Sequence, residues 1–480
     1  MPNKINDTYG AELIGERSKQ AAGGLAPLHE TKHHGFASKL GFVLAAAGSA
    51  VGLGNLWRFP YLAAKYGGGI FILCYLLLAV TFGFCLLVLE IAIGRKTGKN
   101  VIGAFSALSR KFKWLGILAL VVPIIIVPYY CVIGGWVTYY IYAFAAGNEM
   151  LVGETASVTT SGEAFNGFIS DPWMPLIFFL VFAVITVFVV VFGVQKGIER
   201  MSKILMPLLA AIAVGLMIYV LCQPGAAEGL KVLFVPNFED FKFETLLAAL
   251  GQLFYSMSLA MGIMVTYGSY MKKDAKITSS ARQISICDSA FAIVAAVIII
   301  PSIFAYSDDP NSAMAKSGPS LMFIQLPAVF NNISGGRWLG VVFFVLVFFA
   351  ALTSSISLVE TIVAVLKSNG LTRVVSCVIV FVIMLVLGTL SSLGFGPLSM
   401  ISIGDKTLLD IFDYVSNSIL MPIVAIGTCI VAGYFCDTRL LMDEAGLLRK
   451  STRTYFRIMI RYIAPVCMAL ILISGIFLDL

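Results

Sequence analysis

Residues 48 to 61 read Gly48-Ser49-Ala50-Val51-Gly52-Leu53-Gly54-Asn55-Leu56-Trp57-Arg58-Phe59-Pro60-Tyr61, within an apolar run long enough to cross a bilayer. Glycine is a poor helix former, and Gly48, Gly52 and Gly54 are followed by the polar Asn55 and Arg58. Close packing of small residues between membrane helices accounts for an isolated pair of glycines. It does not account for the whole run, so a membrane helix broken near its middle is expected. Unwound backbone at that depth is tolerated only where protein buries it or water reaches it, which implies a cavity. Amides at the start of a half-helix suit a carboxylate, whereas freed carbonyls and nearby hydroxyls suit a hard cation such as sodium.

The composition fits a membrane protein. Of 480 residues, 59% are hydrophobic and only 12% charged, where a soluble domain has roughly 25% charged; mean hydropathy is +0.93. A soluble globular fold is excluded. Eleven stretches reach the roughly 20 residues a spanning helix needs. They lie near 39 to 63, 69 to 94, 114 to 146, 173 to 193 and 200 to 222, then 245 to 270, 284 to 306, 337 to 367, 371 to 392, 408 to 435 and 456 to 478. The expected fold is all-α and polytopic. The segment from 307 to 336, with Pro310, Pro319 and Pro327, is expected to form a short-helix lid on the outside.

The formal net charge of +7 sits largely in short connections, so it orients the chain in a membrane and implies no nucleic-acid partner. Arg95, Lys96, Lys99, Arg110, Lys111 and Lys113 follow the second span, whereas residues 147 to 173 carry four acids and no Lys or Arg. The first connection is therefore expected inside and the second outside. That places the amino terminus in the cytoplasm and, after eleven crossings of the inner membrane, Leu480 outside. Arg449, Arg453, Arg457 and Arg461 then fall on the inner side, as topology signals or as points of attraction for anionic headgroups. Residues 1 to 36 lack an apolar signal core and are expected to be a disordered tail before a single domain from 37 to 480.

A second interrupted run, Ser256-Met257-Ser258-Leu259-Ala260-Met261-Gly262, occurs five spans after the first. Broken helices at corresponding positions of two halves point to a transporter with inverted repeats and a midplane binding site. The nine cysteines lie in or at the ends of spans and are read as core residues without disulfides. The three histidines, His29, His33 and His34, all precede the first span, which leaves no histidine relay or His-based metal site within the membrane. No nucleophile, base and orienting group cluster together, so an enzyme is not expected.

The glycine run, together with Gly67-Gly68-Gly69, Glu90, Gly94-Arg95, Tyr129-Tyr130, Lys196 to Arg200, Gly251 to Ser256, Thr266 to Tyr270 and Leu352 to Ser355, resembles the neurotransmitter:sodium symporter family, in particular its bacterial amino-acid transporters. The resemblance covers about residues 37 to 478. It implies two inverted five-helix repeats, about 37 to 222 and 245 to 435, with the first and sixth helices broken and one helix added near 456 to 478. It implies two sodium sites. One takes the carbonyls of Gly48, Val51 and Ala350 with the hydroxyls of Thr353 and Ser354; the alternative for these two hydroxyls is back-bonding to their own helix. The other takes the Ala50 carbonyl, Asn55, Ser256 and Asp288.

Monoamine carriers of that family have Asp where this chain has Gly52, so the substrate is expected to bring its own carboxylate. By resemblance this group meets the amides of Leu53 and Gly54 and the Tyr130 hydroxyl. The resemblance lines the rest of the substrate site with Ala50, Ile126, Tyr255, Ser256, Ser258, Met261, Ser354 and Leu358. None is charged, which implies a neutral, aliphatic or aromatic amino acid. Animal relatives bind chloride at positions aligned with Tyr75, Gln252, Ser256, Asp288 and Ala292. In this chain Asp288 brings a negative charge of its own, so chloride is not expected to be required.

Arg58 and Asp413 align with the family's external gate pair. The internal gate departs from the family, with His33 and Ser368 at the positions of its Arg and Asp and Phe36 at that of its Trp; Lys39 and Tyr270 remain as alternatives. Gly197 and Pro207 match a family spacing, and Pro207 either eases local unwinding or only kinks its helix. Glu90 is expected to hold unwound backbone; Glu360 has no assigned role. A proton-coupled permease and a non-transporting amino-acid sensor stay open as readings of the same scaffold, and the oligomeric state is not legible.

Overall fold

The computed structural model describes residues 35–153, 156–239, 241–307, 309–315, 319–333, 335–404 and 406–477. The expected tail up to residue 34, His33 and Leu480 lie outside these. Among the described residues the chain is almost entirely helical, with two isolated β-bridges and no strand.

The first span is the pair α1 (Lys39–Ala50) and α2 (Gly54–Lys65), bent by 53° at the break. Ser38 caps α1, its hydroxyl accepting from the Gly41 amide at 3.0 Å. Among the described residues nine further helices are long and apolar enough to cross a membrane. The first five of them are α3 (Gly69–Thr97), α4 (Arg110–Ala146), α5 (Met174–Val191), α6 (Val194–Leu221) and, beyond the second broken run, α9 (Ile277–Tyr306). The run itself comprises α7 (Phe243–Ser256) and α8 (Ile263–Ser269). The remainder are α11 (Gly336–Ser368), α12 (Arg373–Leu393), α13 (Leu408–Phe435) and α15 (Lys450–Phe477). Between them lie α10 (Leu321–Asn331), within the segment from 307 to 336, and α14 (Thr438–Glu444).

The eleven expected spans thus resolve into nine membrane-length helices, one bent pair, and a sixth run split so that neither half is long enough alone. The split has a sequence cause in Met257 to Gly262, where the chain leaves helical geometry. Several helices run beyond their apolar cores: α9 starts at Ile277, α6 at Val194 and α15 at Lys450. A helix continues into headgroup and water wherever its polar residues tolerate it, so hydropathy marks the membrane-embedded part and not the helix. The chain stays helical through Pro207.

Small residues set the closest helix contacts. A Cβ on Gly94 would lie 1.9 Å from the Val265 carbonyl oxygen, and one on Gly268 would lie 2.5 Å from that of Ile91. Helices α3 and α8 therefore meet backbone to backbone, which positions the second half of the sixth run. At the end of the bundle where α10 lies, aromatic rings fill the space between α4 and α10. Phe165 stacks on Phe323 with centroids 5.3 Å apart, and the Tyr140 hydroxyl donates to the Phe323 carbonyl at 2.8 Å.

Candidate functional site

Both broken runs face each other at the centre of the bundle. At the first, Val51 adopts an extended conformation after α1. Gly52 and Asn55 then bridge the break reciprocally: the Gly52 amide donates to the Asn55 side-chain oxygen at 3.0 Å, and the Asn55 amide donates to the Gly52 carbonyl at 3.2 Å. At the second, Ser258 and Ala260 have φ of 52° and 60° without being glycine, a left-handed geometry that costs such residues roughly 1 to 2 kcal/mol each. Two buried contacts hold it there. The Ala260 amide donates to Glu90 Oε1 at 2.7 Å, and the Ser258 hydroxyl donates to the Ser49 carbonyl at 2.8 Å. Glu90 thus engages unwound backbone.

Between the breaks lies a small cavity of about 30 Å³. All eleven residues expected around a substrate line it: Ala50, Leu53, Gly54, Ile126, Tyr130, Tyr255, Ser256, Ser258, Met261, Ser354 and Leu358. Ser49, Gly52, Asn55 and Ile263 complete the wall, which carries no charged side chain. The Leu53 amide donates to the Tyr130 hydroxyl at 3.3 Å, so backbone donor and phenol sit together at the start of α2. A Cβ at Gly52 would lie 2.8 Å from Ser354 Oγ and 2.9 Å from the Tyr130 hydroxyl, leaving no room for a side chain.

In the cavity wall, oxygens from α1 and α11 converge. Ser354 Oγ approaches the carbonyl oxygens of Gly48 at 3.3 Å, Ser49 at 3.1 Å and Val51 at 3.4 Å. Ser354 therefore reaches across to the broken helix and not back along its own. Thr353 does back-bond, to Phe349 and Ala350, both at 3.1 Å.

Beside the cavity, Asp288 is fully buried and accepts three side-chain hydrogen bonds. Ser256 donates to Oδ1 at 2.6 Å, Asn55 to Oδ1 at 2.8 Å and Tyr75 to Oδ2 at 2.9 Å. Gln252 donates to the Gly54 carbonyl at 3.0 Å, and its side-chain oxygen is buried without a partner.

The two ends of the pathway differ from the sequence reading in detail. Arg58 and Asp413 do not form an ion pair within 4.0 Å among the described residues. Arg58 lies over the Tyr255 ring, 5.8 Å from its centroid. Asp413 accepts from Tyr129 at 2.9 Å and from Asn417 at 2.6 Å. At the other end Phe36 is buried against Phe42, Tyr267 and Tyr270. Lys39 donates to Ser279 at 2.9 Å, and Asn100 donates to Ser368. Glu199 gathers the start of α1, accepting from the Ala37 amide at 2.6 Å and the Ser38 hydroxyl at 2.8 Å.

Glu360, without a role in the sequence reading, accepts from Tyr270 at 2.9 Å and pairs with Arg373. The available signal was their placement on consecutive spans joined by a short turn, which brings a long arginine side chain back alongside the preceding helix. Tyr129 with Asp413 and Ser49 with Ser258 carried no comparable signal, because only the packing of distant segments joins them.

Comparison with known proteins identifies the family and fold. Residues 33–151 and 168–478 match the family described as the sodium:neurotransmitter symporter family. An uncharacterized sodium-dependent transporter of Bacillus subtilis (strain 168), YhdH, is 38% identical over 402 residues, covering 82% of this chain and 86% of its own. An uncharacterized sodium-dependent transporter of Haemophilus influenzae is 31% identical over 461 residues, covering 92% of this chain and 98% of its own. Among solved structures, MhsT in complex with L-phenylalanine is similar with a TM-score of 0.83 and 35% identity, covering 92% of this chain and 99% of that one. On the breadth of these matches and the fold they share, the chain belongs to the sodium:neurotransmitter symporter family.

Proposed function

We propose that the protein takes up a neutral amino acid with a large aliphatic or aromatic side chain, coupled to two sodium ions, by alternating access. The observation that carries this reading is the Ser354 hydroxyl, which leaves its own helix for the carbonyls of Gly48, Ser49 and Val51 in the wall of an uncharged cavity. One sodium is bound there by Gly48, Val51, Ala350, Thr353 and Ser354. The other is bound by the Ala50 carbonyl, Asn55, Ser256 and Asp288. The substrate carboxylate meets Leu53, Gly54 and Tyr130 and also touches this second ion. Ion and substrate affinities then rise together, because linkage is reciprocal. The complex of MhsT with L-phenylalanine supports an aromatic substrate, as do the aliphatic and flexible walls Ile126, Met261 and Leu358.

Asp288 supplies the negative charge at the second ion, so transport does not require chloride. Arg58 and Asp413 close over the loaded site from the outside, while Phe36, Tyr270, Glu360 and Arg373 close the inside. The amino terminus lies in the cytoplasm, and the domain from 37 to 480 carries transport in the inner membrane. Each sodium ion entering down 100 mV and a tenfold gradient contributes about 3.7 kcal/mol. Two ions per zwitterion suffice for roughly a hundred-thousandfold accumulation.

Uptake of a radiolabelled panel of neutral amino acids into proteoliposomes tests the reading. Sodium-dependent accumulation of a large apolar member is expected. Uptake that persists when potassium replaces sodium and stops when the proton gradient is dissipated would establish a proton-coupled carrier, and binding without flux would establish a sensor.

A further inference from the structure

The last span is longer than the apolar core it crosses. Its 28 residues, Lys450–Phe477, extend about 42 Å, whereas bilayer hydrocarbon is about 30 Å thick. The charges on α15 are confined to residues 450 to 461, so the surplus of about 12 Å is its first two turns, at headgroup level.

Four basic residues recur here at helical spacing, and the structure divides them. Arg453 pairs with Asp443 at 2.7 Å. Arg461 donates to the Gly433 carbonyl at 2.7 Å and lies 5.5 Å from the Tyr434 ring centroid. Lys450 and Arg457, with Arg449 just before them, have no acidic partner within 4.0 Å among the described residues. A second group of cations arrives from the start of α4. The Phe112 and Phe435 rings, 4.8 Å apart, join that start to the end of α13 beside Tyr434, with Arg110, Lys111 and Lys113 exposed around Phe112.

Apolar surface continues from these cations towards the membrane. Ile458, Tyr462 and Val466 are exposed at four-residue spacing along α15, and Trp114 is exposed beside Lys113. Aromatic side chains with polar tips are typical of the membrane interface. Unpaired cations above and an exposed apolar track below match the two parts of one molecule, an anionic phosphate and an acyl chain. A soluble anion or a nucleic acid would use only the first.

We propose that this junction binds an anionic phospholipid, its phosphate held by Lys450 and Arg457 and its acyl chain lying along Ile458, Tyr462 and Val466. The test uses the purified full chain in mild detergent, equilibrated with equal phosphatidylglycerol and phosphatidylcholine of matched acyl chains, with retained lipid measured by native mass spectrometry. Phosphatidylglycerol should be enriched. At about 1 kcal/mol per cation near an anionic surface, the double substitution Lys450→Gln/Arg457→Gln should lower that enrichment about 25-fold. Lys272→Gln/Lys273→Gln, which removes exposed cations from a different connection, should leave it unchanged.

Equal retention of both lipids, or equal losses in the two double variants, would overturn the proposal in favour of diffuse surface charge. Displacement of the lipid by inorganic phosphate alone would overturn it in favour of a simple anion site. If the Lys450/Arg457 variant does not fold, a salt titration of the unmodified protein decides. Enrichment that falls as ionic strength rises supports the site, and enrichment indifferent to salt rejects it.

Discussion

Ser256 donates a 2.6 Å hydrogen bond to Asp288, joining the end of α7 to the middle of α9 at a fully buried carboxylate. Asn55 and Tyr75 donate to the same group, so four segments of the chain meet at one negative charge.

If that charge stands beside a sodium ion, its removal should weaken sodium binding. Two unit charges about 4 Å apart attract by roughly 4 kcal/mol at an effective dielectric of 20. Asp288→Asn is expected to raise the sodium concentration for half-maximal uptake at least tenfold, about 1.4 kcal/mol. Uptake by the unmodified protein should be unchanged when gluconate replaces chloride. A collapse in gluconate would show that Asp288 does not stand in for the anion.

The Ser354 hydroxyl makes its contacts across the helix interface, whereas Thr353 bonds within its own helix. Ser354→Ala should therefore spare α11 and impair ion coupling. The expected result is monodisperse protein whose sodium dependence of substrate binding, measured by scintillation proximity, shifts at least tenfold upward.

Gly52 leaves room for nothing larger than hydrogen. Gly52→Ala places a methyl group 2.8 Å from Ser354 Oγ, an overpacking that typically costs about 1 to 3 kcal/mol. Transport should be lost, with a fall of only a few degrees in the thermal midpoint followed by fluorescence. Wild-type uptake in this variant would mean that the break opens more widely than the closed geometry indicates.

Glu360 is fully buried and Arg373 largely so. Removing one partner of such a pair leaves an uncompensated charge and typically costs about 3 to 5 kcal/mol, whereas replacing both by apolar residues is often close to neutral. Arg373→Met alone should lower the thermal midpoint markedly, and Glu360→Met/Arg373→Met should recover most of the loss. Equal destabilisation by the single and double variants would show that Arg373 acts mainly through its bond to the Val190 carbonyl.

Glu90 Oε1 accepts from the strained Ala260 amide, and its other oxygen has no partner. Glu90→Gln retains an acceptor and should be tolerated in a thermal-shift assay. Glu90→Leu leaves a buried amide unpaired and should cost about 1 to 3 kcal/mol.

That the chain is an all-helical membrane protein was legible in its residues, because spanning hydropathy is a local property of about 20 consecutive positions. Both breaks were legible too, since Gly48 to Asn55 and Ser256 to Gly262 carry their polarity and conformational freedom within a few positions. Eleven of the fifteen residues that line the cavity were among those the family resemblance implied. Relationships between segments distant along the chain emerged only on folding. Ser354 crosses to α1 while Thr353 does not, Asp413 is held by Tyr129 and Asn417 and not by Arg58, and Glu360 is paired with Arg373. Helix ends belong with them, since a helix such as α15 continues past its apolar core. A buried polar group must find a partner, but its sequence neighbourhood does not say which helix supplies one. That choice is made by packing, which brings Ser258 to the Ser49 carbonyl and Asn55 to Ser256 across the two broken runs.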